Sequence, residues 1–202
     1  MSTLQTIIQR GTAAAQPSAS SVPIGTLYFQ TDTSLIQRSN GSTWDSYSAS
    51  ASTSKIAQVV SSETGAVATG TTIIPFDDTI PQITEGDQYM SLAITPTSAT
   101  NKLIIEVIVF ATVTATPWIT VALFQDSTAN SLAAVSRFVN LSTTGSAIPL
   151  RHIMTAGTTS ATTFKIRVGP SGASTLTFNG QSSGRIFGGI AASSIVITEY
   201  VP

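Results

Sequence analysis

The main pattern along the chain is a series of short apolar runs separated by turn residues. No stretch carries a sustained helical stripe, and the clearest alternation places Phe164, Ile166 and Val168 on one face. Such runs predict an all-β fold whose C-terminal part is an antiparallel, jelly-roll-like β-sandwich. The predicted strands lie near 56–61, 70–75, 88–95, 102–113, 118–125, 131–138, 147–154, 161–168, 174–179 and 193–200.

A separate small β-meander is predicted over residues 25–47. It contains runs at 27–30, 35–38 and 43–47, and Asn-Gly, a strong hairpin signal, stands between the last two. Tyr28 and Trp44 supply much of its apolar body. Because so small a sheet buries little surface alone, we expect these two side chains to take part in assembly or attachment.

Residues 1–24 predict an extended N-terminal arm that attaches the protein to a larger particle. Leu4, Ile7 and Ile8 are its apolar positions, and their spacing fits one helical turn, an arm laid on a partner, or a disordered terminus. Residues 48–55, rich in Ser and Ala, read as a linker before a knob domain at 56–202. The N-terminus lacks the marks of a signal peptide, which predicts synthesis in the cytoplasm and no membrane partner.

The composition shifts the surface from charge to hydroxyl groups. Charged residues make up 9% of the 202, the net charge is −1, and the chain has 28 Ser and 32 Thr. With no basic patch, nucleic-acid binding is not expected. Weak repulsion between copies favours self-association. The absence of cysteine removes disulfides and thiolate metal sites.

The motifs with catalytic spacing read better as structure. Gly180–Gly184 has the spacing of a nucleophile elbow, but neither His nor Asp follows it. His152 is the single histidine and lies in a strand-like run. Two acidic groups, Asp77 with Asp78 and Glu85 with Asp87, fall in turn sequences. We therefore expect a protein that is not an enzyme and uses no cofactor or metal.

Aromatic side chains at strand starts or edges are candidates for sugar stacking. Trp118 and Tyr89 are the two in the predicted sandwich. Trp118 opens a strand after a proline, so a place in the core is the alternative. A host surface glycan is accordingly one possible partner.

Two blocks of sequence resemble bacteriophage proteins. GTLYFQTDTSLIQRSNGSTWDSY, at 25–47, resembles a short module of phage tail fibres and other virion appendages. The blocks TGAVATGTTIIPFDDTIPQITEGDQYMSLAITPTSATNKLIIEV, ITVALFQDSTANSLAA and MTAGTTSATTFKIRVGP resemble a C-terminal domain of phage tail fibres, over roughly 59–200. The resemblance implies a β-sandwich, commonly trimeric, displayed on the virion. The chain departs from that pattern in having about 55 residues before the domain and no long shaft.

The sequence therefore predicts a structural virion protein with itself and other virion proteins as partners. Our hypothesis is a homotrimeric short fibre or tail-tip subunit, attached by its N-terminus and displaying a knob for host adsorption. The alternative is a capsid decoration, cement or head-fibre protein. The short N-terminal region favours a compact attached knob over a long fibre.

Overall fold

A computed structural model describes residues 8–47, 55–115, 118–139 and 145–202. The chain divides into two compact units, Met1–Thr53 and Ser54–Pro202, here called the N-terminal and C-terminal units. Leu4 and Ile7 lie outside the described residues, as does the predicted linker except for Lys55.

The N-terminal unit is built on a four-stranded sheet in the order β1-β2-β3-β4. The first pair is parallel and the other two are antiparallel. Two short 3₁₀ turns, Ala13–Ala15 and Ala19–Ser21, connect β1 to the rest. The strands are β1 (Ile8–Gly11), β2 (Leu27–Gln30), β3 (Ile36–Ser39) and β4 (Trp44–Ser46).

The three predicted strands of the meander are confirmed, but the module begins earlier than its predicted start at Gly25. Residues 8–24, assigned from sequence to an extended arm, belong to the same folded unit. The backbone N–H of Ala13 donates to the Asp32 carboxylate at 3.0 Å, and the Tyr28 hydroxyl donates to the carbonyl of Thr12 at 3.1 Å. A four-residue strand that pairs in parallel with a distant one leaves little local signal.

The C-terminal unit consists of two packed sheets. Sheet I has the order β5-β16-β8-β13-β6, with β11 on the other edge of β8, and sheet II has the order β10-β9-β12-β7. The strands are β5 (Ile56–Thr64), β6 (Ala68–Gly70), β7 (Asp87–Ile94), β8 (Lys102–Val113), β9 (Trp118–Gln125), β10 (Ala133–Phe138), β11 (Ser146–Thr155), β12 (Thr162–Pro170), β13 (Leu176–Phe178), β14 (Gly180–Gln181), β15 (Gly184–Arg185) and β16 (Ser193–Tyr200).

One apolar core fills the space between the two sheets, so the fold is an all-β sandwich as predicted. Every ladder within the two sheets is antiparallel. Alternate residues of each strand point into the core, following the period of two of a pleated strand. Fully buried core side chains from both sheets include Leu103, Ile105, Val109, Ile119, Leu123, Phe164, Ile166, Phe178, Ile195 and Ile197.

The predicted strand at 70–75 is the main difference in the C-terminal unit. β6 ends at Gly70, and residues 71–86 instead cross the outer face of sheet II. Ile74 is fully buried there with Ala122 and Phe124, and its N–H donates to the carbonyl of Pro170 at 3.0 Å. Apolar residues in this segment cover a sheet face without forming a strand.

A second irregular segment, residues 179–192, interrupts the strand column formed by β13 and β16; we call it the excursion. The small β14–β15 hairpin lies within it. Within the described ranges, no helix has the length and apolarity required to span a bilayer.

Candidate functional site

The outer face of sheet I is an apolar surface that no other described segment of the unit covers at its centre. Residues of β8 with even numbers point outward, opposite to the core residues at odd numbers. Three large apolar side chains on this face are about half exposed: Val59 (54%), Ile108 (50%) and Ile153 (46%). An exposed contiguous apolar face is typical of an interaction surface.

A groove of about 590 Å³ lies at the middle of this face. The ladders bring its walls together, since β8 has Pro149 of β11 opposite Ile108 on one side and Ser194 of β16 opposite it on the other. We call this the sheet I groove. Its outward-facing lining is Glu106, Ile108, Pro149, Arg151, Ser194 and Val196.

The groove carries one pair of opposite charges. Arg151 Nε lies 3.6 Å from Glu106 Oε1, and both side chains are more than half exposed. An exposed pair of this kind contributes well under about 1 kcal/mol to stability. Its value lies rather in keeping two charges available at a surface that is otherwise apolar.

A cluster of three aromatic rings lies on the outer face of sheet II. Trp118 stacks on Phe76 with ring centroids 4.4 Å apart and meets Phe138 edge-on at 5.2 Å. Phe138 is the cross-strand partner of Trp118, and Phe76 comes from the segment 71–86. Phe76 is 56% exposed and Phe138 50%, so the aromatic cluster presents ring surface to solvent.

Trp118 thus lies at a surface, as the sugar-contact hypothesis requires, but Phe76 covers one face of its indole. The sequence did not single out Phe76 or Phe138. The alternation of β10 could have identified Phe138, while the position of Phe76 depends on a segment without periodicity.

Tyr89 faces inward, which does not fit the predicted glycan contact. Its ring stacks on the buried Phe178 at 4.7 Å. The hydroxyl is buried and has no hydrogen-bond partner among the described residues. Burial, together with the nearby Asp87 carboxylate, raises the pKa of Tyr89 far above its ordinary range.

The two aromatic residues predicted to serve attachment form the interior of the N-terminal unit. Tyr28 is 3% exposed, and its ring lies 5.8 Å from that of Trp44. The indole N–H of Trp44 donates to the carbonyl of Pro17 at 2.7 Å. Their role as an attachment surface stays a prediction, whereas Ile8, 53% exposed on β1, is accessible.

The motifs with catalytic spacing have structural surroundings. Gly180–Gly184 forms the β14–β15 hairpin, with Ser182 and Ser183 at positive φ in its turn. His152 is half-buried on β11, and burial lowers its pKa. This hairpin lacks the strand-turn-helix setting of a nucleophile elbow.

The acidic residues highlighted in the sequence shape loops. Asp77 accepts hydrogen bonds from the N–H and hydroxyl of Thr79, which lower its pKa. Glu85 accepts from the N–H of Gln82, and Asp87 from that of Thr72. Among the described residues, no group of three or more His, Cys, Asp or Glu side chains could hold a metal ion.

Glu199 is a buried carboxylate that the sequence reading missed. It is 0% exposed and lies at the end of β16. Burial alone would raise its pKa, but hydrogen bonds outweigh that effect and lower the pKa from 4.5 to about 2. The donors are Gln58 Nε2, Asn101 Nδ2, the hydroxyl and N–H of Thr97, and the N–H of Ser98. A signal existed, because Glu199 shares the inward parity of Ile195 and Ile197.

Comparison with known proteins gave structural similarities alone. No family model matches the chain, and no curated protein matches it. An Eiger TNF structure from S. frugiperda aligns with a TM-score of 0.40 at 7% identity, covering 71% of this chain and 93% of the other.

Two of the similar structures are viral. The enzymatically active domain of tailspike protein 4 from bacteriophage CBA120 aligns with a TM-score of 0.28 at 15% identity, over 61% of this chain and 19% of the other. T=1 particles derived from infectious bursal virus give 0.32 at 16%, over 73% and 37%. The chain therefore spans about a fifth and just over a third of these two viral chains.

Proposed function

We propose that the chain is a structural, non-enzymatic subunit of a bacteriophage virion. In this proposal it is a homotrimeric short fibre or tail-tip protein, attached through its N-terminal unit and displaying the β-sandwich. The observation that carries the proposal is the apolar outer face of sheet I with its central groove. The sequence resemblance to phage tail-fibre domains supports the virion setting.

Self-association follows from the physical character of that face. Val59, Ile108 and Ile153 are about half exposed, and burying them in an interface would remove apolar area from water at about 25 cal/mol per Å². With a net charge of −1 over 202 residues, copies repel one another weakly. A second copy of the same chain therefore fits this face without an electrostatic penalty.

The order of the strands supports the jelly-roll form of the sandwich. Counting β13 with β16 and β6 with β5 as single columns, each sheet contains four columns. Eight strands divided over two sheets is the arrangement of a jelly roll, a fold used in viral capsids. Three-fold closure is taken from the family resemblance.

The oligomeric state is the first test of this proposal. Sedimentation equilibrium of the full-length chain across micromolar concentrations should give three times the mass of one chain. Ile108→Arg, which places a charge in the groove, should give monomers. Ile80→Arg is the matched control, since Ile80 is also about half exposed (56%) but lies on the segment that covers sheet II. A monomeric wild-type chain would contradict the proposed trimer.

The location on the particle needs a separate measurement. Quantitative mass spectrometry of purified virions would give the copy number of the chain. A few copies support the fibre or tail-tip proposal. Hundreds of copies support the alternative of a capsid decoration, cement or head-fibre protein.

A second candidate function, binding of a host surface glycan, is favoured by the aromatic cluster. Sugar faces stack on exposed rings, and Phe76 and Phe138 present such rings next to Trp118. Glycan-array binding by the wild-type chain should be lost in Phe76→Ala and Trp118→Ala. It should fall in Phe76→Leu as well, because leucine keeps the apolar volume and lacks the ring. Unchanged binding in all three variants would exclude this site.

The absence of enzymatic activity is tested on the same material. Host polysaccharide incubated with the full-length chain should keep its length distribution. Shortened chains would contradict the non-enzymatic proposal and indicate a depolymerase.

A further inference from the structure

The C-terminal unit has an exposed apolar tip close to the sheet I groove. The tip belongs to the excursion, residues 179–192, where Phe187 is 73% and Ile190 83% exposed. These are larger exposed fractions than those of the apolar side chains in the groove. No residue of the excursion lines the groove, so the two features do not satisfy each other within one chain.

The base of the excursion is firmly held. Asn179, 0% exposed, donates from Nδ2 to the carbonyls of Thr64 and Ala66 and accepts from the Ser193 hydroxyl at 2.6 Å. The Ser193 hydroxyl oxygen in turn accepts from the N–H of Phe110. These contacts fix both ends of the excursion on sheet I and leave its tip free to project.

The excursion lies on the groove side of sheet I. Thr112 has the outward parity of Ile108 on β8, and its hydroxyl donates to the carbonyl of Gly180 at 3.1 Å. Ser194, which lines the groove, is two residues past the end of the excursion. The tip and the groove are therefore neighbours on one face.

The backbone at the tip is in an unfavourable conformation. Phe187 has φ 48°, followed by Gly188 at 67° and Gly189 at 96°. The left-handed region is costly for a residue with a side chain, and in an isolated chain the exposed Phe187 ring gains no burial in return. A partner that buries the ring would provide the missing compensation.

We propose that Phe187 and Ile190 of one copy insert into the sheet I groove of the next copy. This rests on the proposed homotrimer and names its contact. A groove of about 590 Å³ is large enough to receive both side chains. Because tip and groove are different patches, the contact is head-to-tail and closes into a ring when the rotation between copies allows it.

The charges agree with a second copy as the occupant. Arg185 is the one charged residue in the excursion. Glu106 lies in the groove with its side chain more than half exposed. Insertion would bring this arginine toward the acidic wall, which also gives the contact a direction.

Engineered cysteines test the contact directly, because the chain has no native cysteine. The full-length variant Phe187→Cys with Ile108→Cys, oxidised and run on a denaturing non-reducing gel, should form covalent species up to the trimer. Phe187→Cys with Ile80→Cys is the control and should remain a single chain. A trimer in solution that gives no crosslink, or a crosslink within one chain, would overturn the insertion and leave the proposed trimer intact. A wild-type monomer would overturn both.

A second variant avoids any change in the groove. Phe187→Ala with Ile190→Ala alters exposed tip residues alone, so the fold is retained. Sedimentation equilibrium should show the concentration for half-dissociation raised by at least about 30-fold, the effect of removing an interface anchor. Ile80→Ala should leave it unchanged. Equal dissociation of the double variant and the wild-type chain would overturn the insertion.

Discussion

Replacing Glu199 with glutamine changes few atoms but removes the charge on which a buried network depends. The carboxylate receives donors from three parts of the C-terminal unit: Gln58 on β5, the loop at Thr97 and Ser98, and Asn101. In Glu199→Gln, the new amide would place its NH₂ against the Nε2 of Gln58 or against the backbone donors. At least one buried donor then lacks an acceptor.

The magnitude follows from the pKa and from burial. A fall of the pKa from 4.5 to about 2 corresponds to roughly 3 kcal/mol in favour of the charged form, at about 1.4 kcal/mol per pH unit. Glu199 lies near the end of its sheet, where solvent screening lowers this to about 2 kcal/mol. A buried donor left unpaired costs about 1–3 kcal/mol. We expect Glu199→Gln to lower the free energy of unfolding by about 2–3 kcal/mol at pH 7.

The pH dependence provides a sharper test. The pKa of Glu199 is lower in the folded state, so its stabilisation is complete above the ordinary value of 4.5 and is lost as the pH falls toward about 2. Glutamine does not titrate. The difference in unfolding free energy between wild type and Glu199→Gln should therefore be constant from pH 7 to about 5 and shrink below 4.5.

Urea denaturation of the full-length proteins at a fixed concentration measures this difference at each pH. Glu63→Gln is the matched control, because Glu63 is exposed on β5, and it should change stability by no more than about 0.5 kcal/mol. A difference that stays the same from pH 7 to pH 3, or a glutamine variant as stable as wild type, would refute the reasoning.

Three further changes test the interior of each unit. Tyr89→Phe removes a buried hydroxyl without a partner among the described residues, so thermal denaturation should show equal or higher stability, by up to about 1 kcal/mol. Tyr28→Ala should cost about 3–5 kcal/mol, which a unit this small cannot absorb, so limited proteolysis should cleave within residues 8–47 and spare the C-terminal unit. Trp44→Phe loses the hydrogen bond to Pro17 and should destabilise the N-terminal unit by about 1 kcal/mol, seen as faster cleavage in the same assay.

The positions of the strands could be predicted because their signal is local. In β8, β9, β12 and β16 apolar side chains alternate or run continuously, and the observed bounds agree with the predicted ones within about two residues. The same alternation assigns side chains to faces. It places Glu199 on the buried face with Ile197, although the residue type argued against burial.

The pairing of those strands was decided by the tertiary structure. β8 has β11 on one side and both β13 and β16 on the other, and these strands are far from it in the chain. Period two specifies which face of a strand is apolar and says nothing about which strand lies beside it. The sheet I groove exists because of this pairing, since its walls come from three strands.

The sequence by itself determined an all-β chain, the bounds of most strands and the apolar character of both faces of β8. Only the tertiary structure decided that Phe76 covers Trp118, that Tyr89 lies inside, and that Phe187 projects beside a groove. Strand periodicity is a property of neighbouring residues. The course of a segment such as 71–86 or 179–192 depends instead on which distant surfaces it can bury, and that is settled by the packing of the whole unit.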